Sequence, residues 1–164
     1  DRRQRQMCIR DSSMGGKIAY ELEKRLEAAG YTAKCLFISG SRVPSIPEPN
    51  PIYHLPDEEF KRELGRFEGT PKEVLENQEL LDFFLPMLRA DFTMDETYYD
   101  KAGIVLHTPI AAFGGEKDGE ADESAILEWG KYTDNDFNYR IFPGGHFYLR
   151  DCEDEVISEV MRLL

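Results

Sequence analysis

Long apolar runs, cysteines and an excess of positive charge are scarce or missing in this sequence of 164 residues. No stretch approaches the roughly 20 consecutive apolar residues that a membrane-spanning helix needs, so no membrane association is expected. The N-terminus is basic, but no apolar segment follows it, so a secretory signal peptide is not indicated. The three cysteines are scattered and odd in number. That pattern favours a reducing, cytoplasmic compartment over a disulfide framework.

Two other classes of protein are disfavoured by what the sequence has little of. The chain carries 20 Lys and Arg residues against 32 Asp and Glu residues, which gives a net charge of −12. Phosphate contacts need clustered cations, so we expect no nucleic-acid partner. The histidines, His54, His107 and His146, lie far apart, and no Cys/His spacing resembles a zinc site. We therefore expect no metal.

What the sequence does contain is an alternation of strand and helix patterns. Hydrophobic residues make up 41% of the chain, as in ordinary globular domains. Strands are predicted in residues 33–41, in "PIAAFGG" and in "FNYRIFPGGHFYL". A helix is predicted from Ile18 onward, and its buried face is expected to carry Ile18, Ala19, Leu22, Leu26 and Ala29. Strands that alternate with helices indicate an α/β protein with a parallel sheet flanked by helices.

Residues 57–99 interrupt this alternation as a helical block. A connector with four prolines precedes it, and its stiff backbone excludes a helix or a central strand. Thr70, Pro71 and Glu73 form a capping-box pattern at a helix start, with Thr70 as the N-cap. The segment "QELLDFFLPMLRADF" is apolar on more than one face and contains Pro86. We therefore predict a helix that is packed on two sides and kinked or broken at Pro86.

The stretch "SSMGG" before the first helix has two interpretations. Ser13, Met14 and Gly15 match the second half of the Gly-x-Ser-x-Gly turn that exposes a catalytic serine. On such a turn the backbone N–H of Met14 faces a developing oxyanion, and the following helix adds its positive end. Serine and glycine are also common at helix starts, so Ser13 as a simple helix cap is the alternative.

A catalytic serine needs a base and an acid, and two later loops offer them. Asp118 follows the second strand in "FGGEKDG", and His146 follows the third in "PGGHFYL". The order Ser, Asp, His is that of α/β-hydrolases, and active sites of α/β proteins form at strand carboxyl ends. The alternatives are an acidic surface turn and an ordinary loop histidine. Glu116 and Asp122 are weaker candidates for the acid.

The chain closely resembles the type II (editing) thioesterases of nonribosomal peptide and polyketide synthesis, which are α/β-hydrolases. The resemblance covers residues 13–164 and rests on "SMGGKIAYELEKRLEAAGY", "LFISGSRVP", "LPDEEFKRELGRFEGTPKEVLENQELLDFFLPMLRADF", "IAAFGG" and "FPGGHFYLRD". It implies Ser13 as the nucleophile, His146 as the base and Asp118 as the acid. It further implies a helical lid at about 45–100.

The same resemblance implies an activity and a partner. Enzymes of this family hydrolyse acyl groups from the phosphopantetheine of acyl or peptidyl carrier proteins, and they need no other cofactor. The lid would line an acyl pocket with apolar residues that alternatively pack its own core: Phe83, Phe84, Leu85, Met87 and Leu88. A generic esterase acting on small esters and an inactive fragment are the competing interpretations.

Docking of an acidic carrier protein is expected to need local cations, because the net charge of −12 gives no long-range attraction. The candidate groups are Lys17, Lys24 and Arg25 on the first helix, or Arg62, Arg66 and Arg89 in the helical block. The alternative is that these cations belong to solvated helix faces.

The start of the chain departs from the family pattern. Asp11 and Ser12 stand where the family has Gly-His, and an aspartate fits a strained turn poorly. No strand is recognisable before Ser13. We therefore expect residues 1–12 to be a non-native or disordered leader and residues 13–164 to be a partial α/β-hydrolase domain. On this interpretation the chain is a truncated gene product that is inactive as written.

Overall fold

The structure, a computed structural model, describes residues 8–67 and 69–164. It divides into two compact units, the described residues up to Ser45 together with Lys101–Leu164, and the segment Ile46–Asp100. The helices are Met14–Ala28 (α1), Asp57–Leu64 (α2), Lys72–Leu75 (α3), Gln78–Thr97 (α4), Glu123–Leu127 (α5), Tyr148–Asp151 (α6) and Glu153–Leu163 (α7), with a 3₁₀ turn at Glu128–Tyr132.

A four-stranded parallel sheet organises the first unit. Its strands lie in sequence order and are Cys8–Ser12 (β1), Cys35–Ser39 (β2), Ile110–Gly115 (β3) and Phe137–Phe142 (β4). Every residue of β2 and β3 is buried, as expected for central parallel strands that are covered on both faces. The predicted α/β fold with a parallel sheet flanked by helices is confirmed.

Two apolar layers cover the two faces of this sheet. Tyr20 of α1 and Trp129 pack with Ile38 on one face, and Val156 of α7 packs with Phe37 on the other. Successive side chains of a strand point to opposite faces, so the neighbours Phe37 and Ile38 contribute one residue to each layer. Because the strands are parallel, the loops that follow them all lie at one edge of the sheet.

The structure differs from the sequence prediction immediately before Ser13, where no strand was expected. Residues 8–12 form β1, which pairs in parallel with β2 from Cys8 opposite Cys35 to Ser12 opposite Ser39. Among the described residues β1 is at the edge of the sheet, and its Ile9 packs partly against the core. A five-residue edge strand with one apolar contact leaves no periodic signal in the sequence. Residues 1–7 of the predicted leader lie outside the described residues.

The predicted buried face of α1 is partly wrong. Ile18 is 47% exposed and Leu22 is 45% exposed. Ala19 is buried as predicted, and the helix also buries Tyr20 and Glu23, which lie outside the predicted face and make hydrogen bonds inside the unit. The Tyr20 hydroxyl donates to a backbone carbonyl at 2.8 Å, and one Glu23 oxygen accepts a backbone N–H at 2.9 Å.

The second unit is a small helical body with its own core. Phe60 and Leu64 of α2 pack with Leu81 and Leu85 of α4. The carboxylate of Glu96, near the end of α4, accepts the backbone N–H groups of residues 52 and 53 at 2.7–3.0 Å. The helices of the second unit agree with the helical block predicted at 57–99. The role of this unit as a lid stays a prediction.

Two local predictions in the second unit are corrected. The short helix α3 begins after Pro71, one residue later than the capping box places it, and Thr70 is not its N-cap. Helix α4 runs through Pro86 without the predicted break, and a kink at Pro86 stays a prediction. Proline removes one N–H donor, and here both Pro86 and Asp82, whose carbonyl loses that donor, are exposed.

Among the described helices, none combines the length and the apolar character needed to cross a bilayer.

Candidate active site

Ser13 occupies a strained turn between β1 and α1. Its backbone has φ 55° and ψ −126°, and it is the single non-glycine residue with positive φ in the part of the chain that the structure describes. Its N–H donates to the carbonyl of Ser39 at 2.8 Å, which ties the turn to the end of β2. The Ser13 side chain makes no capping hydrogen bond to α1. This geometry disfavours the helix-cap interpretation, since strained residues of this kind cluster at functional sites.

The residues around this turn explain how Asp11 is accommodated. The Asp11 carboxylate accepts the N–H of Ser12 at 2.8 Å and lies over Gly15. A Cβ atom at Gly15 would stand 2.0 Å from the Asp11 oxygen, so the absence of a side chain at Gly15 leaves the space that Asp11 fills. The sequence predicted that an aspartate at position 11 would fit this turn poorly. Gly15, the second residue of α1, makes room for that side chain.

His146 and Asp118 contact each other after β4 and β3. The Nδ1 atom of His146 lies 2.8 Å from Oδ2 of Asp118, and their side chains are 15% and 0% exposed. The other Asp118 oxygen accepts the backbone N–H groups of Glu120 and Ala121 at 2.8 and 3.1 Å. In the tautomer whose Nδ1 donates to Asp118, the lone pair lies on Nε2, and the role of His146 as a base stays a prediction.

The other acids considered in the sequence occupy different positions. Glu116 is exposed at the end of β3. Asp122 is the N-cap of α5, where it accepts the N–H of Ala125 at 2.9 Å and the hydroxyl of Ser124 at 2.6 Å. The pKa of Asp122 is lowered mainly by the hydrogen bond from the Ser124 hydroxyl and, to a smaller extent, by the one from the Ala125 N–H. Asp118 therefore has a geometry suited to orienting His146, and Asp122 has one suited to capping a helix.

A second histidine–aspartate pair shows why position matters. His107 Nδ1 lies 2.8 Å from Asp134 Oδ2, but both side chains are largely exposed. These residues precede β3 and β4, so they lie at the amino edge of the parallel sheet. The turn at Ser13 and the pair of His146 with Asp118 follow their strands and lie at the carboxyl edge. The distance between the two groups alone therefore does not distinguish the two pairs, whereas burial and location do.

Glycines allow the loops at the carboxyl edge to approach one another. Gly40, directly after β2, has φ 52°, and a Cβ atom there would stand 3.3 Å from Cε1 of His146 and 3.4 Å from Oδ2 of Asp118. A Cβ atom at Gly115, the last residue of β3, would stand 2.2 Å from the carbonyl oxygen of Gly145. Ser39 holds Ser13, and its neighbour Gly40 lies against His146. The predicted nucleophile and the predicted base therefore both lie beside the end of β2.

Backbone N–H groups are the natural partners of an oxyanion at this edge. Met14 is the first residue of α1 and follows Ser13 directly. The first N–H groups of a helix have no partner within the helix, and they lie at its positive end. Met14 therefore has the position predicted for an oxyanion donor.

Ser39 and Tyr148 also belong to this edge, although the sequence argument did not single them out. Their hydroxyl groups share a buried hydrogen bond of 2.6 Å. Both lie within stretches that carry the family resemblance, "LFISGSRVP" and "FPGGHFYLRD", but nothing in those stretches indicates that the two side chains meet. The nearest signal was the position of Tyr148, two residues after His146.

Two of the three cysteines are buried, and Cys8 is exposed. Cys35 and Cys152 are buried, and burial raises the pKa of the Cys35 thiol to about 12, so its thiolate is scarce at neutral pH. Within residues 8–67 and 69–164, no three His, Cys, Asp or Glu side chains are grouped so as to hold a metal ion.

The predicted acyl-pocket residues lie on α4 in the second unit. Phe83 and Met87 are exposed, and the Phe83 ring contacts Phe84 edge to face at 5.1 Å between centroids. Leu88 packs against the core of that unit, where Leu85 is buried. Core packing therefore accounts for Leu85 and Leu88, and contact of Phe83, Phe84, Met87 and Leu88 with a substrate stays a prediction.

Comparison with known proteins gives one consistent family. The family model described as a thioesterase domain matches residues 13–164. The chain is 36% identical over 154 residues to the gramicidin S biosynthesis protein GrsT of Aneurinibacillus migulanus, covering 93% of this chain and 60% of that protein. It is 34% identical over 149 residues to the thioesterase PikA5 of Streptomyces venezuelae, covering 90% and 53%.

A solved structure agrees with these relatives. YbtT, a type II thioesterase from the yersiniabactin pathway, superposes with a TM-score of 0.88 at 30% identity, covering 96% of this chain and 64% of YbtT. The chain thus spans between about half and two thirds of the length of the proteins it matches.

Proposed function

Since this chain belongs to the thioesterase domain family, we propose that it hydrolyses acyl thioesters on the phosphopantetheine of acyl or peptidyl carrier proteins. The single observation that carries the mechanism is the strained Ser13 turn beside the buried pair of His146 and Asp118. The relatives belong to nonribosomal peptide and polyketide pathways. They support an editing role, in which unwanted acyl groups are removed from carrier proteins.

The first half of the reaction transfers the acyl group to the enzyme. Nε2 of His146 takes the proton of the Ser13 hydroxyl while the Ser13 oxygen attacks the thioester carbonyl. The Met14 N–H and the positive end of α1 stabilise the oxyanion of the tetrahedral intermediate. When the intermediate collapses, the C–S bond breaks and His146 returns its proton to the departing pantetheine sulfur. The products are the free thiol and an ester on Ser13.

The second half frees the acid and restores the enzyme. His146 takes a proton from a water molecule, and the water oxygen attacks the ester carbonyl. Collapse of the second tetrahedral intermediate breaks the bond to the Ser13 oxygen, which recovers its proton from His146. Throughout, Asp118 keeps the imidazole in one tautomer and stabilises its positive form. Its own position is fixed by the N–H groups of Glu120 and Ala121.

The cations proposed for carrier docking differ in how they are engaged. Arg89 donates to the carbonyls of residues 53 and 55 at 2.6 and 2.8 Å and pairs with Asp57, so we assign it to holding the second unit together. Lys24 pairs with Glu21 at 2.7 Å and lies over the Tyr20 ring. Lys17, in the first turn of α1 just after Ser13, lies at the carboxyl edge and is the cation we favour for contact with an acidic carrier. Arg25 is in the last turn of α1, toward the amino edge.

The substrate class is tested by comparing three substrates with the same acyl group. These are a carrier-protein thioester, a pantetheine thioester and a p-nitrophenyl ester. We expect kcat/KM to fall in that order, and Ser13→Ala to lower thioester hydrolysis by about 10⁶-fold. Ser12→Ala, one residue away, is the matched control and should keep the rate. Preference for the aryl ester would favour a generic esterase, and undiminished hydrolysis by Ser13→Ala would overturn the proposal. Failure to hydrolyse any of the three substrates would instead bear out the expectation that the chain is inactive as written.

A further inference from the structure

Ser39, the last residue of β2, contacts both parts of the candidate active site. Its carbonyl accepts the N–H of Ser13 at 2.8 Å, and its hydroxyl shares a 2.6 Å hydrogen bond with the hydroxyl of Tyr148. Ser39 is 3% exposed and Tyr148 is 0% exposed. One buried residue therefore contacts the Ser13 turn through its backbone and the segment after β4 through its side chain.

Tyr148 closes the loop that carries His146. Its ring stacks on that of Phe142, the last residue of β4, with centroids 5.2 Å apart and planes 7° apart. Its N–H donates to the carbonyl of Gly145 at 3.1 Å. The loop from Phe142 to Tyr148 is thus clamped at both ends, and His146 lies within it. The clamp fixes the shape of the loop, and the bond to Ser39 fixes the position of the loop relative to β2.

The ring and the hydroxyl of Tyr148 have separable roles. Phenylalanine at this position would keep the stack on Phe142 and lose the bond to Ser39. A buried hydroxyl is stable only with a partner, and each of these two hydroxyls provides the other with one. The bond is directional, so it distinguishes one position of the loop from its neighbours in a way that ring packing does not.

We propose that Ser39 and Tyr148 are a positioning pair, which holds the His146 loop in register with the Ser13 turn. The expected effect on the reaction rate rests on the proposed function. The expected effect on the position of His146 does not depend on it. Without the bond, the loop samples positions in which Nδ1 of His146 is displaced from Asp118. A displacement of about 1 Å costs up to ~10²-fold in rate. We expect about tenfold for the loss of this one contact.

The first test observes His146 directly and needs no substrate. The Nδ1 proton shared with Asp118 gives a low-field proton resonance in the nuclear magnetic resonance spectrum, assigned by its loss in His146→Ala. In Tyr148→Phe and in Ser39→Ala we expect this proton to exchange with solvent at least tenfold faster. Tyr139→Phe, which removes an exposed hydroxyl on β4, is the control and should leave the exchange rate unchanged.

The second test measures the reaction of Ser13 with a fluorophosphonate probe. Tyr148→Phe should slow labelling about tenfold, and in the His146→Ala background the same substitution should have no further effect. A residue that only stabilises the fold would lower the thermal midpoint and leave the His146 proton unchanged. That result, or a parent chain without the low-field resonance, overturns the positioning pair. The proposed function is refuted instead if the His146 proton exchanges faster in the variants as expected, but the parent chain neither reacts with the probe nor cleaves a thioester.

Discussion

Asp118 is the residue whose role depends most on details of geometry. One of its oxygens faces Nδ1 of His146, and the other is fixed by two backbone N–H groups. Asparagine has almost the same shape, but its amide carries no charge to stabilise the imidazolium. The amide can also hold the histidine ring in the wrong tautomer. We therefore expect Asp118→Asn to lower kcat on an acyl-pantetheine thioester by about 10³–10⁴-fold, measured by release of the free thiol.

Two neighbouring acids provide controls for this substitution. Asp122→Asn should keep kcat, and its effect on stability should stay small because asparagine is also a good N-cap. Glu116→Gln changes an exposed side chain and should alter neither kcat nor stability measurably. If either substitution lowers kcat more than Asp118→Asn does, the acid has been assigned to the wrong residue.

At the scale of single residues, local signals in the sequence predict where Asp118 and His146 lie. Asp118 and His146 follow strands that end in glycine-rich loops, and parallel strands bring such loops to one edge. Their contact at 2.8 Å follows this expectation, while their catalytic roles stay predictions. The bond between Ser39 and Tyr148 was not predictable, because residues 109 positions apart meet only once the strand order and the loop shape are known.

At the scale of elements, the close approach of two loops depends on Gly115. A Cβ atom there would stand 2.2 Å from one backbone carbonyl oxygen and 2.9 Å from another, and backbone cannot rotate away as a side chain can. We expect Gly115→Ala to lower the free energy of unfolding by at least ~2 kcal/mol. It should also slow the labelling of Ser13 by a fluorophosphonate.

Gly119→Ala is the matched control for that prediction. Nothing lies within 4 Å of a Cβ atom at Gly119, which is in the same loop, so its effect should stay within about 0.5 kcal/mol. Urea unfolding curves measure both variants. Equal stability of the two variants would show that the loops have more room than the structure gives them.

The carboxyl group of Glu96 makes the second unit sensitive to pH. Burial raises its pKa, although the N–H groups of Ile52 and Tyr53 act in the opposite direction. The folded state therefore binds this proton more tightly than the unfolded state does. The stabilisation is complete below the ordinary pKa of about 4.5 and is lost as pH rises through the raised value.

Glu96→Gln should remove this part of the pH dependence. Glutamine is neutral at every pH, and its side-chain oxygen can still accept a backbone N–H. We expect the variant to gain stability relative to the parent chain as pH increases from about 4 to 7, measured by thermal unfolding at several pH values. A difference between the two chains that stays constant with pH would contradict the burial of this carboxyl.

The elements also show where sequence patterns lose their predictive power. Periodicity correctly indicated the α/β order of the first unit and the helical block of the second. It assigned Ile18 and Leu22 to the core although both are exposed, because apolar spacing does not show which stripe of a helix meets the sheet. It missed β1, since an edge strand of five residues needs only a single apolar contact.

At the scale of the whole molecule, the net negative charge of the chain disfavours binding of an acidic carrier protein. The net charge of −12 repels an acidic carrier protein, so a local contact has to compensate. We expect Lys17→Glu to raise KM for a carrier-protein thioester about fivefold to tenfold, by roughly 1 kcal/mol of lost and reversed charge interaction. The KM for a pantetheine thioester should not change, because that substrate has no carrier surface.

Lys131→Glu provides the control for this charge reversal. Lys131 is exposed on the 3₁₀ turn and pairs with Glu128, and its substitution should leave both KM values unchanged. The effect of Lys17→Glu should also shrink at high salt. An unchanged KM for the carrier substrate, with a normal thermal midpoint, would exclude Lys17 from the docking surface.

The central claim is that Ser13 carries the acyl group during thioester hydrolysis, and trapping that intermediate tests it most directly. The chain is mixed with an acyl-pantetheine thioester, the reaction is stopped with acid within the first turnover, and the digested protein is analysed by mass spectrometry. We predict that the peptide containing Ser13 gains the mass of the acyl group. That gain should be absent in Ser13→Ala and strongly reduced in His146→Ala. Thioester hydrolysis that proceeds without an acyl group on Ser13, or with the acyl group on another residue, would contradict the account.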